Sequence, residues 1–211
     1  MKLPRLYPIL DTATVARRGM AVEQAAQVMI HAGVGILQLR HKEHFSRAMF
    51  ETLERVSVLC RAAQTPFVIN DRADLALMFD AALHLGQDDL PPAAARRVIG
   101  QRPLGFSTHN EKQLTEAAQA GIADYLALGP IFGTTSKENP DPAVGLDNAR
   151  QWLKATAKPT VAIGGITIDN ATAVLQCGFA SVAVIGALYP DPLTAATLHE
   201  RIRHWQNVLN N

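Results

Sequence analysis

Short apolar runs rich in β-branched and aromatic residues recur along this chain, separated by longer stretches whose apolar positions repeat at helical spacing. Eight such runs are expected as strands: Tyr7 to Leu10, Ile36 to Leu39, Phe67 to Ile69, Ala82 to Leu85, Leu104 to Phe106, Tyr125 to Leu128, Thr160 to Ile163 and Ser181 to Ile185. The segments between them read as helices over about Ala21 to Ala32, Ser46 to Ala63, Asp74 to Phe79, Pro91 to Ile99, Glu111 to Ala120, Asp147 to Ala155, Ile168 to Cys177 and Pro192 to Leu209. The clearest is the second, where Met49, Leu53, Val56 and Cys60 share a face behind a Ser46 cap. Asn110-Glu111 and Asp169-Asn170 supply oxygens where helices should begin, and Gly33, Gly121 and Gly178 fall where helices should stop.

Eight strands alternating with eight helices predict an α/β protein, a single-domain (β/α)8 TIM barrel over 1–211. The rival is an open doubly wound sheet, but its Gly-x-Gly-x-x-Gly fingerprint after the first strand is missing. Pro8 removes a ladder donor, so the first strand is expected to fray.

Composition narrows the function classes. With 48% hydrophobic and 18% charged residues the chain has ample core-forming material, and a net charge of +1 gives no global field for nucleic acid or an anionic membrane. No apolar run approaches the roughly 20 residues that span a bilayer, and Met1 to Arg5 lacks the apolar middle of a secretory signal; the expected compartment is the cytoplasm. Cys60 and Cys177 match no metal-ligand spacing and read as small buried apolar residues. The expected partners are small phosphorylated molecules, with a homo-oligomer left open.

In a barrel of this class function sits at the C-terminal ends of the strands, and there the chain carries its chemistry. Alternation through Gln38-Leu39-Arg40-His41-Lys42 sends Gln38, Arg40 and Lys42 to one side, where an amide and two cations suit a phosphate or diphosphate. The third and fourth strands run into Asn70-Asp71-Arg72 and Gly86-Gln87-Asp88-Asp89. Asp71 and Asp89 are candidates for Mg2+, which is usually held by one or two carboxylates together with water and substrate phosphate. The competing reading makes Asp71 a helix cap and Asp88-Asp89 a turn before Pro91. His84, inside an apolar strand, reads as structural.

After the fifth strand come Ser107, a hydrogen-bonding candidate, and His109, either a general acid/base or a helix-start residue. The loop after the sixth strand offers Thr134, Thr135, Ser136 and Lys137 as hydroxyls and charge for a polyanion. Gly164-Gly165 follows the seventh strand and Ile185-Gly186 ends the eighth, where barrels often bind phosphate on backbone amides.

Taken in order, these motifs resemble the thiamine-phosphate synthase family from Leu6 to about Leu188. The resemblance rests on Gln38 to Lys42, Ile69 to Arg72, His84 to Pro91, Ser107 to His109, Gly129 to Phe132 with Thr134 to Lys137, and Ala162 to Ile166. It implies an Mg2+-requiring transferase that joins hydroxymethylpyrimidine diphosphate to hydroxyethylthiazole phosphate through a pyrimidinylmethyl cation. Carried over residue by residue, it implies pyrimidine diphosphate contacts from Gln38, Arg40, Lys42, Asn70, Ser107 and Lys137, with Arg40, Ser107 and Lys137 as the catalytic set. It puts the metal on Asp71 and Asp89, and the thiazole phosphate on Thr134, Thr135, Ser136, Gly165, Ile185 and Gly186.

The chain departs from the family pattern in three places: Gly186 replaces a more usual Ser, Leu10 replaces a more usual Thr, and the approach to the fourth strand at Asp80-Ala81-Ala82 is one residue shorter. Two rival functions are a thiazole tautomerase on the same fold, with His109 as acid/base, and a noncatalytic binder of thiamine precursors.

Overall fold

Strand alternation divides the chain's apolar residues into two cores in this computed structural model, which describes residues 2–133 and 141–210. Inward-pointing Tyr7, Ile9, Val68, Tyr125, Ala127, Val161 and Ala183 fill the inside of a barrel. Their outward neighbours, including Leu10, Leu37, Leu39, Ile69, Leu83, Leu85, Leu126 and Val182, join the helices in a second, larger core. Burying a Leu, Ile or Val of this set contributes about 1.5–3 kcal/mol.

The strands are β1 (Leu6–Asp11), β2 (Leu37–Arg40), β3 (Phe67–Asn70), β4 (Ala82–Leu85), β5 (Leu104–Thr108), β6 (Tyr125–Leu128), β7 (Thr160–Ile163) and β8 (Ser181–Val184). All neighbours pair in parallel, and β1 pairs with both β2 and β8, so the sheet closes and the open-sheet alternative falls away.

The expected fraying of the first strand does not occur. β1 is buried along its whole length. Its pairing passes from β8 to β2 midway: Leu6, Tyr7 and Pro8 face Val182, Ala183 and Val184, whereas Ile9, Leu10 and Asp11 face Gln38, Leu39 and Arg40. Pro8 sits at that handover, where the tilt of a closed barrel lets one missing donor pass without opening the ladder.

The helices are α1 (Thr12–Arg17), α2 (Val22–His31), α3 (Arg47–Ala62), α4 (Ala73–Met78), α5 (Pro92–Ile99), α6 (Glu111–Ala120), α7 (Leu146–Trp152), α8 (Ile168–Gln176) and α9 (Ala195–Asn210), with a 3₁₀ turn over Gly186–Leu188. Their ends follow local chemistry. Ser46 Oγ accepts the Met49 N–H at 3.2 Å and so starts α3, and Gly121, at φ 71, ends α6 in a left-handed cap. Thr167 rather than Asp169 caps α8, in a reciprocal box with Asn170. Two short elements were not expected from periodicity, α1 and the 3₁₀ turn, and both begin at the C-terminal ends of strands, after β1 and β8. No helix among the described residues is long and apolar enough to cross a membrane.

Candidate active site

The inward face of the strands changes character toward their C-terminal ends: apolar side chains give way to Gln38, Arg40, Asn70, His84 and Ser107, and a cavity of about 1220 Å³ opens above them. Gln38, Arg40, Lys42, Asn70, Asp71, Asp89, Ser107, Gly165, Ile185 and Gly186, all expected from sequence, line this one cavity. Thr134, Thr135, Ser136 and Lys137 lie outside the described residues.

At the β2–β4 side the cavity is built from charge. Arg40 Nη1 meets Asp11 Oδ2 at 2.5 Å. Asp11 also accepts the Thr14 N–H and hydroxyl, at 2.9 and 2.7 Å, so one buried carboxylate both starts α1 and anchors the guanidinium. Burial alone would push the Asp11 carboxyl up, but Thr14 and Arg40 outweigh it and hold it below the usual range. Sequence reasoning passed over this residue as part of the first strand; its signal was a carboxylate at a strand's C-terminal end, ahead of Thr and Ala.

Lys42 Nζ lies 2.5 Å from Asp71 Oδ2. Asp71 adopts a left-handed backbone, φ 67, while its N–H donates to the His84 carbonyl at 2.8 Å. This rules out the simple helix-cap reading, because Arg72 occupies the cap of α4. Asp89 accepts the Gly86 N–H at 2.6 Å, which ties the loop after β4; against burial, the contact with Asp71 and then this N–H hold its carboxyl below the usual range. Burial and the neighbouring Asp89 push Asp71 up to about 6, despite Lys42. Two carboxylates crowded together carry surplus negative charge at neutral pH, and hard oxygen donors of this kind fit a divalent cation completed by water and substrate oxygens.

The cavity floor carries a continuous polar chain. Gln38, 2% exposed, donates from Nε2 to Asn70 Oδ1 at 3.1 Å and accepts from the Tyr7 hydroxyl at 2.9 Å. The Tyr7 and Tyr125 hydroxyls meet at 2.8 Å, His84 Nδ1 lies 3.0 Å from the Tyr125 hydroxyl, and His84 Nε2 lies 2.9 Å from Ser107 Oγ. Burial lowers the imidazole to about 4, so His84 is neutral at physiological pH. It is satisfied, as expected of a core histidine, and it also lines the cavity. The two tyrosines were missed because an inward aromatic in a strand looks the same as plain core.

His109 does not cap α6; Asn110 does. The His109 N–H donates to Gln113 Oε1 at 2.7 Å, and Nδ1 lies 2.6 Å from the Gly129 carbonyl and 3.6 Å from Asp141. A carbonyl can only accept, so Nδ1 carries the proton and the ring ties β5 to the end of β6.

The β7–β8 side is built from backbone instead. Gly165 stands at φ 65, and a Cβ there would fall 2.5 Å from the Gly133 carbonyl oxygen and 2.7 Å from Phe132 Cβ. The Ile131 and Phe132 N–H groups donate to the carbonyls of Ile163 and Gly164, at 2.9 and 3.1 Å, which press the two loops together. Across the opening, Ile185 leads into the 3₁₀ turn at Gly186.

The cavity thus carries charge at one end and glycine backbone at the other. A family model described as thiamine monophosphate synthase matches residues 6–188. The chain belongs to the thiamine monophosphate synthase family.

Among relatives of that family, the thiamine-phosphate synthase of Koribacter versatilis is 44% identical over 97% of this chain and 98% of its own. That of Chloroflexus aurantiacus is 40% identical over 91% and 88%. The solved thiamine phosphate pyrophosphorylase of Pyrococcus furiosus superposes with a TM-score of 0.82 at 29% identity, over 98% of this chain and 95% of its own. The chain is therefore a thiamine-phosphate synthase, a transferase.

Proposed function

We propose that the chain joins 4-amino-2-methyl-5-hydroxymethylpyrimidine diphosphate to hydroxyethylthiazole phosphate, or to the carboxylated form of that thiazole, releasing diphosphate and forming thiamine phosphate. The observation that carries this reading is the division of one cavity between two anion sites of different construction. Arg40, Lys42 and Asn70 suit the diphosphate, and Gly165 with the Ile185–Gly186 backbone suits a single phosphate held at a fixed distance from it.

Reaction begins with heterolysis of the bond between the pyrimidine methylene carbon and the diphosphate oxygen, and the electron pair leaves with diphosphate. Arg40, braced by Asp11, and Lys42, together with Lys137, which follows β6 in the sequence, stabilise the charge that develops on that oxygen. The thiazole nitrogen then donates its lone pair to the exposed carbon, so no protein nucleophile is needed. Ile9, Ala127, Val161 and Ile163 form apolar walls that keep water from the cation. Asp71 and Asp89 would hold Mg2+, which supplies neutralising charge for the diphosphate. A tautomerase acting on one monophosphate has no use for this charged end.

The enzyme works in the cytoplasm, a reading supported by two buried free thiols, Cys60 and Cys177. The test is diphosphate release by the purified chain supplied with both substrates, with and without Mg2+ and with the thiazole phosphate omitted. Release that needs both substrates and the metal is expected. Thiazole phosphate binding without any release would overturn the proposal.

A further inference from the structure

The floor of the cavity holds more polar groups than the two anion sites use. Asn70, Gln38, Tyr7, Tyr125, His84 and Ser107 come from six different strands, and every adjacent pair lies within hydrogen-bond distance. Each hydroxyl has one proton and a neutral imidazole has one ring proton, so fixing one end of such a chain fixes all of it. Gln38 sets the direction. Its Oε1 takes the Tyr7 proton, Tyr7 can then only accept from Tyr125, and Tyr125 can then only accept from His84 Nδ1. His84 Nε2 is left bare and takes the Ser107 proton.

The two ends are thereby assigned opposite characters. Ser107 spends its proton on His84 and shows lone pairs to the cavity. Asn70 accepts from Gln38 through Oδ1 and keeps its NH2 for the neighbouring anion site, the arrangement that the cations Arg40 and Lys42 favour for a phosphate-bearing ligand. The opposite direction would turn a carbonyl oxygen of Asn70 toward that anion.

A second observation supports the chain independently. Gly105 on β5 is not among the residues of positive φ, so its backbone does not require glycine. A Cβ there would lie 2.1 Å from Tyr125 Cζ, 2.3 Å from the Tyr125 hydroxyl and 2.5 Å from His84 Nδ1. The missing side chain makes room for the Tyr125 to His84 link.

We propose that Tyr7, Tyr125 and His84 are positioning residues, a one-directional chain that holds Ser107 as an acceptor and Asn70 as a donor, and so selects a ring presenting an N–H at Ser107 over one presenting a carbonyl. The last clause rests on the aminopyrimidine reading of the site; the direction of the chain does not.

Side-chain 15N NMR of the full-length protein at pH 7 without ligand tests the direction, with the His84 signals assigned by their loss in His84→Asn. The Nδ1–H tautomer is expected in the wild type, although free histidine prefers Nε2–H, and Tyr125→Phe should move the ring toward Nε2–H. An Nε2–H or doubly protonated wild-type ring would overturn the chain, even if the variants do not fold. Calorimetry with 4-amino-2-methyl-5-hydroxymethylpyrimidine and its 4-oxo analogue tests the selection. A wild-type preference for the amine that shrinks by about 10-fold in Tyr125→Phe is expected, the size of one neutral hydrogen bond. An unchanged preference would overturn the positioning role. Failure of the wild type to bind either ring would overturn the substrate clause and the aminopyrimidine reading, while the tautomer still judges the chain.

Discussion

The two ends of the cavity are constructed by different means. At the β2–β4 end the groups are side chains braced by other side chains: Arg40 by Asp11, Lys42 by Asp71, Asp89 by the Gly86 N–H. At the β7–β8 end they are backbone, pressed into place by Gly164 and Gly165 against residues 130–133. In the proposed reaction charge changes only at the first end, where diphosphate would depart, whereas the thiazole phosphate assigned to the second would keep its charge throughout. Interactions that strengthen as charge develops raise kcat, whereas uniform binding acts on KM. The contrast in construction therefore predicts a contrast in kinetics.

The largest effect should come from removing charge where it develops. Arg40→Ala and Lys137→Ala are each expected to lower kcat by about 10²–10³-fold, the usual range for one preorganised donor to a developing anion. KM for the thiazole phosphate should barely move. Steady-state kinetics with each substrate varied in turn measures this, and an unchanged kcat would remove the distinction between the two ends.

Next in size is a change at the backbone end. Gly165→Ala forces a Cβ against the Gly133 carbonyl at φ 65 and must displace the loop. We expect KM for the thiazole phosphate to rise about 10²-fold, typical of a 1 Å misplacement, with pyrimidine binding kept. Calorimetry of the pyrimidine alone decides, and joint loss of both ligands in a folded variant would show that the ends are not separable.

A smaller effect concerns stability. The Asp71 carboxyl is pushed up to about 6 from 3.8 by burial and by Asp89. Between those values the folded chain binds more protons than the unfolded one, so this group favours folding at low pH and the benefit fades as pH rises toward 6. Asp71→Asn should then stabilise the metal-free protein at pH 7.5 by about 1 kcal/mol, after solvent screening of a part-exposed group, and should have little effect near pH 4. Urea melts at both pH values check this; destabilisation at pH 7.5 would mean that the Lys42 contact outweighs burial and Asp89. Activity would fall in the same variant, which is the trade-off expected of a site that crowds carboxylates for a cation.

How much of this was legible in the sequence depends on the range over which each feature is encoded. β4, β6 and β7 fall where alternation and flanking turns put them, because both signals are local. α1 and the 3₁₀ turn are too short to show a helical period. Pro8 misled because its tolerance comes from the closure of the barrel, which no window of sequence contains. The charged residues of β2, β3 and β4 announced themselves by position at strand ends, whereas Asp11 at the end of β1 was passed over although it carried the same signal. Tyr7 and Tyr125 gave no such signal: their hydroxyls meet across 118 residues, and only the folded barrel makes them polar partners instead of core.

The smallest prediction tests the backbone end most finely. Gly186 opens a 3₁₀ turn and is not among the residues of positive φ, so its backbone conformation does not require glycine. In the family pattern that this chain resembles, a Ser is more usual there. Gly186→Ser would add one hydroxyl donor beside the amides proposed to hold the phosphate. A hydrogen bond to a charged group contributes about 1.5–3 kcal/mol at most, and at a solvent-facing rim a 3- to 10-fold drop in KM for the thiazole phosphate is expected. Because that phosphate has the same charge before and after bond formation, the hydroxyl should stabilise ground and transition states alike and leave kcat where it was. Steady-state kinetics of the variant at saturating pyrimidine diphosphate measures both numbers. A rise in kcat would mean that the backbone end also takes part in the chemical step, and the division between a charge-stabilising end and a holding end would have to be redrawn.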